Sequence, residues 1–224
     1  MQSLIFAKQK ILNDKSILFS LLSLSILLVL AKIIGILPDF LNRMPEDVIP
    51  KYAETFVVKS ANIVLSISQI SETIFILAIP FFLRRYGIKK VMLFSLIAWV
   101  LRFGFFAYGD PIGSLWMIIM SNIVYGLAFD FFNISGSLFV ETTTDSKMRS
   151  SAQGLFMMMT NGFGAIFGSI TSGYIIEKYF TTPEGKDWHM IWLTFAIYAL
   201  VITVAFAIFF KHKHNPTEIK QVSH

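Results

Sequence analysis

Two acidic residues stand inside long apolar runs: Glu72 in SISQISETIF and Asp130 in YGLAFDFFNISGS. An ionised carboxylate in hydrocarbon costs about 2.5–3.5 kcal/mol on insertion scales, so each acid must face protein or water. Intramembrane acids of this kind serve as ion partners and proton relays. Before and beside Glu72, the residues Asn62, Ser66, Gln69 and Thr73 share one helical face, with Glu72 on its flank. Beside Asp130, the residues Tyr125, Gly126, Phe129, Asn133 and Ser137 share another broad face. Aromatic rings next to an amide and a carboxyl suit a flat ligand that carries hydroxyls: the rings stack while the polar groups fix orientation. Glu72 and Asp130 are therefore candidates both for touching a ligand and for taking up or releasing a proton. The plainer alternatives stand beside this. Glu72 can be a structural acid paired inside a bundle, and among 23 phenylalanines most only fill packing or lipid-facing positions.

Arg102, in AWVLRFGFFAYGD, lies deeper than an interface anchor. Two readings stay open for it: neutralising Glu72 or Asp130 across a helix contact, or snorkelling toward the outer surface. Lys32 sits near the end of the first apolar run and is read as an anchor. The histidines form no site, because His212, His214 and His224 belong to the tail and His189 opens the last run. The run Met157–Met159 reads as soft packing rather than a metal site. No phosphate-binding loop, dinucleotide fingerprint, HExxH helix or nucleophile elbow occurs in a suitable context. No catalytic set, cofactor or metal is expected, and the chain is read as a non-enzyme.

The elements that must position these groups follow from composition. The 224 residues include no cysteine, and 55% are hydrophobic and 15% charged, against roughly 25% charged in soluble domains. A disordered chain and a disulfide-stapled one are excluded. The net charge of +5 does not point to nucleic acid, since membrane proteins gather Lys and Arg on cytoplasmic loops. Six apolar segments can be marked, at 16–37, 60–83, 91–108, 114–140, 151–176 and 189–210. Each is long enough to cross a bilayer at about 20 residues per helix, and no alternation runs long enough for a membrane barrel. The fold class is thus an all-α membrane protein. It has a cytoplasmic lead at 1–15, a six-helix bundle at 16–210 and a cytoplasmic tail at 211–224.

Lys8, Lys10 and Lys15 before the first run resemble the start of a signal peptide. The run is long and no small-x-small cleavage site follows, so it is read as a retained helix. The stretch 38–59, with Pro38, Pro45 and Pro50, reads as an ordered external loop or short interfacial helix. With both termini cytoplasmic, the inner segments hold Lys8, Lys10, Lys15, Arg84, Arg85, Lys89, Lys90, Lys147, Arg149, Lys211, Lys213 and Lys220. The outer ones hold only Arg43, Lys51, Lys178 and Lys186, with Lys59 at a boundary. That bias sets the orientation. In the fifth run, Gly164, Gly168 and Ser172, and likewise Ala165, Ser169 and Gly173, recur at four-residue spacing, which permits close helix packing. Thr160 and Asn161 add polarity in mid-run.

Three long stretches carry a resemblance: SISQISETIFILAIPFFLRRYGIKKVMLFSLIAWVLRFGFFAYGDP, then YGLAFDFFNISGSLFVE, then SAQGLFMMMTNGFGAIFGS. Together they resemble the nucleoside:proton symporter family of the major facilitator superfamily, over nearly all of 60–210. The resemblance implies the C-terminal half of a twelve-helix transporter, built as a 3+3 inverted repeat, and a separate N-terminal six-helix half as partner. It implies a nucleoside and a proton as the transported species, a multi-pass inner-membrane location, and little transport by this half alone. It also implies that Gln69, Glu72, Tyr125, Phe129 and Asp130 contact nucleoside. The LRRYGIKK loop is similar to a cytoplasmic loop of the superfamily but lacks the acidic residue of its fullest form. In the first run, relatives place polar amides where this chain has Ala31 and Ile34. Other function classes remain beside this one: a non-transporting membrane assembly protein, with its acids sealed in static pairs, and a carrier of another small polar solute such as a sugar.

Overall fold

The structure, a computed structural model, describes residues 52, 54–183 and 185–212, apart from the side chains of Val58 and Ala61. The first apolar run 16–37, with Ala31, Lys32 and Ile34, therefore lies outside the described residues. So do most of the 38–59 stretch and most of the tail.

The order of elements is α1 (Phe56–Lys59), α2 (Ala61–Tyr108), α3 (Leu115–Thr143), α4 (Arg149–Met157), a π-helical segment (Met158–Phe163), α5 (Gly164–Tyr179), β1 (Thr181–Thr182), β2 (Gly185–Lys186) and α6 (Trp188–Phe209). Strands β1 and β2 pair antiparallel in a short hairpin. Asp187 then caps α6, its Oδ1 accepting from the Met190 amide at 3.0 Å.

Among the described residues three helices are long and apolar enough to cross a membrane, Asn62–Tyr108, Leu115–Thr143 and Trp188–Phe209, where the sequence led to six separate crossings, the first of them outside the described residues. The difference has physical causes. The basic stretch LRRYGIKK, expected as a loop, consists mostly of good helix formers, and only Gly87 leaves helical geometry, at φ 76° and ψ 168°. A positive φ of this kind is open to glycine at no steric cost. The second and third expected spans are thus two helical arms that follow one another directly across this glycine within the 48 residues of α2. The fifth expected span is divided by the π-helical segment into α4 and α5, each too short to count alone.

A straight helix of that length would be about 72 Å long, more than twice the ~30 Å hydrocarbon thickness. The contacts show that α2 doubles back instead. Phe82 and Phe94, twelve residues apart, bring their ring centroids to 6.2 Å. Along α3, Ser71 donates to the Ile123 carbonyl and Phe75 and Phe82 lie on Phe131, so 61–86 ascends with α3. Arg102 meets Ser121 while Ser95 donates to the Ala128 carbonyl, so 88–108 descends against it. Gly87 is the hinge of a helical hairpin, and α3 packs on both of its arms.

The core lies where the second arm meets α3 and α6. Trp99, Phe103, Phe131, Phe132, Ile191, Phe206 and Phe210 are fully buried there. Phe103 stacks on Trp192 at 6.1 Å and Phe132 meets Phe206 at 6.4 Å. Lys89 Nζ donates to the Ala207 carbonyl at 3.0 Å, and His189 Nδ1 lies 2.6 Å from the Ala107 carbonyl, so both ends of α6 are tied to α2. Contacts between α3 and α4 are polar and tight. Gln153 Nε2 donates to the Ser137 carbonyl at 2.7 Å, and the Ser137 hydroxyl donates to Gln153 Oε1 at 3.0 Å. Of the small-residue faces in α5, Gly164, Ala165 and Ser172 are buried, whereas Ser169 and Gly173 are exposed and a Cβ at Gly173 would meet nothing within 4 Å. Large apolar side chains elsewhere point outward, among them Ile70, Ile74, Leu77, Phe81, Ile166, Phe167 and Ile170. Such a surface on a water-soluble domain would be an association hazard; on membrane helices it is ordinary.

Candidate functional site

The first arm of α2 and the middle of α3 bring the candidate residues together. Their approach depends on small groups. Gly126 has no side chain, and a Cβ there would lie 2.5 Å from the Ser71 carbonyl carbon and 2.5 Å from the Glu72 amide nitrogen. The backbone that carries Glu72 is thus pressed directly against α3, between Tyr125 and Phe129 in sequence. The Ser71 hydroxyl fastens the contact by donating to the Ile123 carbonyl.

Arg102 arrives from the second arm. It is only 2% exposed, and its Nη1 donates to the Ser121 carbonyl at 2.8 Å while the Ser121 hydroxyl donates back to the Arg102 carbonyl at 3.2 Å. Its guanidinium carbon lies 4.2 Å from the centroid of the Tyr125 ring and 5.1 Å from that of Phe106. Tyr125 in turn stacks on Phe129 at 5.8 Å with a 22° tilt, and receives the edge of Trp99 at 6.0 Å.

Glu72 and Arg102 are near enough to act electrostatically on one another, as are Glu72 and Asp130, and Tyr125 feels all three. Among the described residues, ion pairs within 4.0 Å occur at element ends, Arg149 with Glu141 and Lys186 with Glu177 at 3.7 Å each, and Lys59 with Glu54. None joins Arg102 to either acid. Arg102 therefore lies inside the bundle against rings and a backbone carbonyl. Its Nε and Asp130 Oδ2 are both buried without a hydrogen-bond partner.

The remaining candidates are placed less centrally. Gln69 is exposed one turn before Glu72, and Asn62, Ser66 and Thr73 are exposed on the same side of the arm. Ser66 and Thr73 bond the carbonyls of Asn62 and Gln69 within their own helix. Asn133 turns back on its own helix, donating to the Phe129 carbonyl at 3.1 Å, and Ser137 belongs to the contact with α4. Thr160 and Asn161 fall within the π-helical segment, Thr160 buried and bonded to the Phe156 carbonyl at 2.8 Å. Trp99, Phe106 and Ser121 complete the surroundings of Arg102 and Tyr125. Ser121 precedes Tyr125 by one helical turn, the spacing that could have drawn notice. Trp99 and Phe106 are ordinary members of an aromatic-rich sequence until the fold brings them together. Among the described residues no group of three or more His, Cys, Asp or Glu is placed to hold a metal.

An acid, an amide and an aromatic pair on adjoining helices can bind a flat polar solute and handle a proton. The family model described as Nucleoside H+ symporter matches residues 5–215. The chain belongs to the nucleoside H+ symporter family. It is 55% identical over 190 residues to the nucleoside permease NupG of Escherichia coli K12, a match that covers 83% of this chain and 44% of that protein. It is 58% identical over 172 residues to the xanthosine permease of the same organism, covering 76% of this chain and 41% of that one. A solved structure of nucleoside transporter NupG superposes with a TM-score of 0.79 at 48% identity, covering 95% of this chain and 51% of that chain. A second solved structure, of a mutant of that transporter, gives 0.77 at 51% identity, covering 87% and 47%. The chain thus spans about half the length of the relatives it matches. It is a multi-span α-helical protein of an inner-membrane permease family in the major facilitator superfamily, a class of transporters rather than enzymes.

Proposed function

We propose that this chain acts as the C-terminal six-helix half of a nucleoside:proton symporter of the inner membrane. The observation that carries the reading is the convergence of Glu72, Tyr125, Phe129 and Asp130 where the first arm of α2 crosses α3, with Gln69 exposed one turn away. In this reading the crossings are 16–37, the two arms of α2, α3, the continuous 149–179 stretch and α6. They form an inverted 3+3 repeat, with 1–15 and 211–224 cytoplasmic. Substrate in such carriers lies near the midplane between two repeats that rock about it, so this half supplies one wall and an N-terminal six-helix half the other.

Each residue then has a role. The Glu72 carboxylate and the Gln69 amide take hydrogen bonds from ribose hydroxyls or base edges. The Tyr125–Phe129 pair stacks on the base. Glu72 and Asp130 are the acids through which a proton is taken up on one side and released on the other. Arg102 supplies the neighbouring positive charge.

The test is uptake of radiolabelled nucleoside in cells lacking their own carriers. The cells produce this chain alone or together with the N-terminal half of a relative. Uptake is expected only from the pair, and to rise with an inward proton gradient. Glu72→Gln should reduce it sharply, and Asp130→Asn should change uptake, its pH dependence or both. Near-normal uptake at every pH from both variants, with normal amounts of folded protein in the membrane, would overturn these roles.

A further inference from the structure

We propose that Arg102 is a positioning residue of the nucleoside site, acting through Tyr125 rather than as a direct ion-pair partner of the acids. The inference rests on the reading above for its substrate, but its geometry is independent of that reading. Arg102 is buried to 2% exposure and comes from a different helical arm than either acid. Its backbone carbonyl and its guanidinium form a reciprocal bracket with Ser121, which ties both its main chain and its side-chain tip to α3. The guanidinium carbon is held 4.2 Å from the Tyr125 centroid, a close approach for a cation over an aromatic ring.

Tyr125 has contacts of three kinds: the Arg102 cation, the edge of Trp99 and the stacked ring of Phe129. Trp99 and Arg102 lie on the same arm one turn apart, so that arm grips the tyrosine while Phe129 continues α3. Remove the cation and Tyr125 loses the group that holds its ring from the second arm, and the ring against which Phe129 lies is free to change rotamer. A substrate base stacking on that pair then meets a surface that must be ordered at binding, which lowers affinity. The titratable groups around the guanidinium are the Glu72 carboxyl on the first arm and the neutral Tyr125 phenol on α3. A charge-partner role would be served by any cation. A role through the ring plane needs the planar guanidinium, because Lys offers a compact ammonium that cannot stack and hydrogen-bond in the same fixed geometry.

The decisive variant is therefore Arg102→Lys. It is studied in this chain paired with the N-terminal half, with 3-fluorotyrosine placed at position 125 for fluorine NMR. A desolvated cation–π contact is strong enough for its loss to raise the uptake KM about tenfold. The maximal rate and the pH profile are expected to stay close to those of the parent. The fluorine signal should shift and broaden without substrate present. Tyr125→Ala should cost more than Arg102→Lys, because it removes the stacking ring itself, and adding Arg102→Lys to Tyr125→Ala should deepen the loss little, because the ring that Arg102 positions is already gone. An unmoved fluorine signal, an unchanged KM, or additive losses would each overturn the proposal. A moved signal in a protein that takes up no nucleoside, with or without the substitution, would sustain the positioning role and refute the nucleoside reading instead. Arg102→Met serves as the companion variant. If Lys restores parent KM and signal where Met does not, charge alone is what matters and the proposal fails.

Discussion

Replacing Gly126 by alanine should damage the site more than the fold. The added Cβ would sit 2.5 Å from both the Ser71 carbonyl carbon and the Glu72 nitrogen and 2.7 Å from the Ser71 carbonyl oxygen. Ordinary carbon contacts begin near 3.4 Å, so the first arm of α2 must back away from α3 by about 1 Å. Backbone atoms cannot swing aside as a side-chain tip can, and overpacking of this kind typically costs about 1–3 kcal/mol. The displacement falls on Glu72 while Tyr125, Phe129 and Asp130 stay on α3. A misplacement of about 1 Å in a positioned constellation can cost on the order of a hundredfold. Nucleoside uptake at limiting substrate by the two-half assembly should therefore fall roughly ten- to a hundredfold. The thermal midpoint of the purified protein should drop by only a few degrees. Gly104→Ala is the control, because a Cβ there meets nothing within 4 Å; it should leave uptake unchanged and stabilise slightly, as Gly→Ala in a helix does. Parent-like uptake and melting for Gly126→Ala would refute the claim that this glycine sets the depth of Glu72.

The other expectations are briefer. Phe129→Ala removes the ring stacked on Tyr125 and should weaken nucleoside binding by about tenfold, with less effect on the pH response than either acid variant; competition binding at two pH values separates these. Gly136→Ala would place a Cβ 2.8 Å from the Phe156 ring, a side chain that can move. A stability loss within about 1–3 kcal/mol, with uptake kinetics nearly intact, is the expected result in paired melting and uptake measurements. Cysteines introduced at positions 47 and 215 should react with an impermeant maleimide from opposite sides of the membrane. Reaction of both from one side would reject the proposed topology.

Glu72, Arg102 and Asp130 are legible in the sequence because a charge inside an apolar run is costly and so stands out wherever the helices pack. The faces they occupy are legible too, because helical spacing alone assigns Gln69 to the side of Asn62, Ser66 and Thr73. What spacing cannot supply is which face meets which. The Arg102–Ser121 bracket spans 19 positions and the Ser71–Ile123 contact 52, so neither leaves a local trace. Gly126 is one glycine among 13, and its importance exists only because Ser71 and Glu72 arrive against it. Boundaries were hidden for a different reason. The charges in LRRYGIKK read as an interhelical loop, yet Arg, Lys and Leu are good helix formers, and a single positive-φ glycine suffices to turn the chain. The π-helical widening at Met158–Phe163 follows no simple periodicity in the apolar residues and is seen only in the backbone hydrogen bonds.

The exposed side of the first α2 arm bears on what must lie against it. Ile70, Ile74, Leu77 and Phe81 project outward at helical spacing, and that row alone would suit lipid. The neighbouring row of Asn62, Ser66, Gln69 and Thr73 is exposed as well. Its two hydroxyls satisfy themselves on their own helix, but a side-chain amide offers two donors and two acceptor sites, more than one helix's carbonyls can meet. Hydrocarbon supplies no partner for the rest, at a cost of a few kcal/mol for each group left bare. A face that is polar along one row, flanked by Glu72, and apolar along the next is suited to the seam of a protein assembly, where the first row meets water or solute and the second meets another helix. The chain spans about half the length of its permease relatives, and a second six-helix body placed on that side would cover the apolar row and leave the polar one facing a central cavity. This is the physical reason for proposing two halves: Gln69 and Glu72 have polar work to do only if something other than lipid stands opposite them.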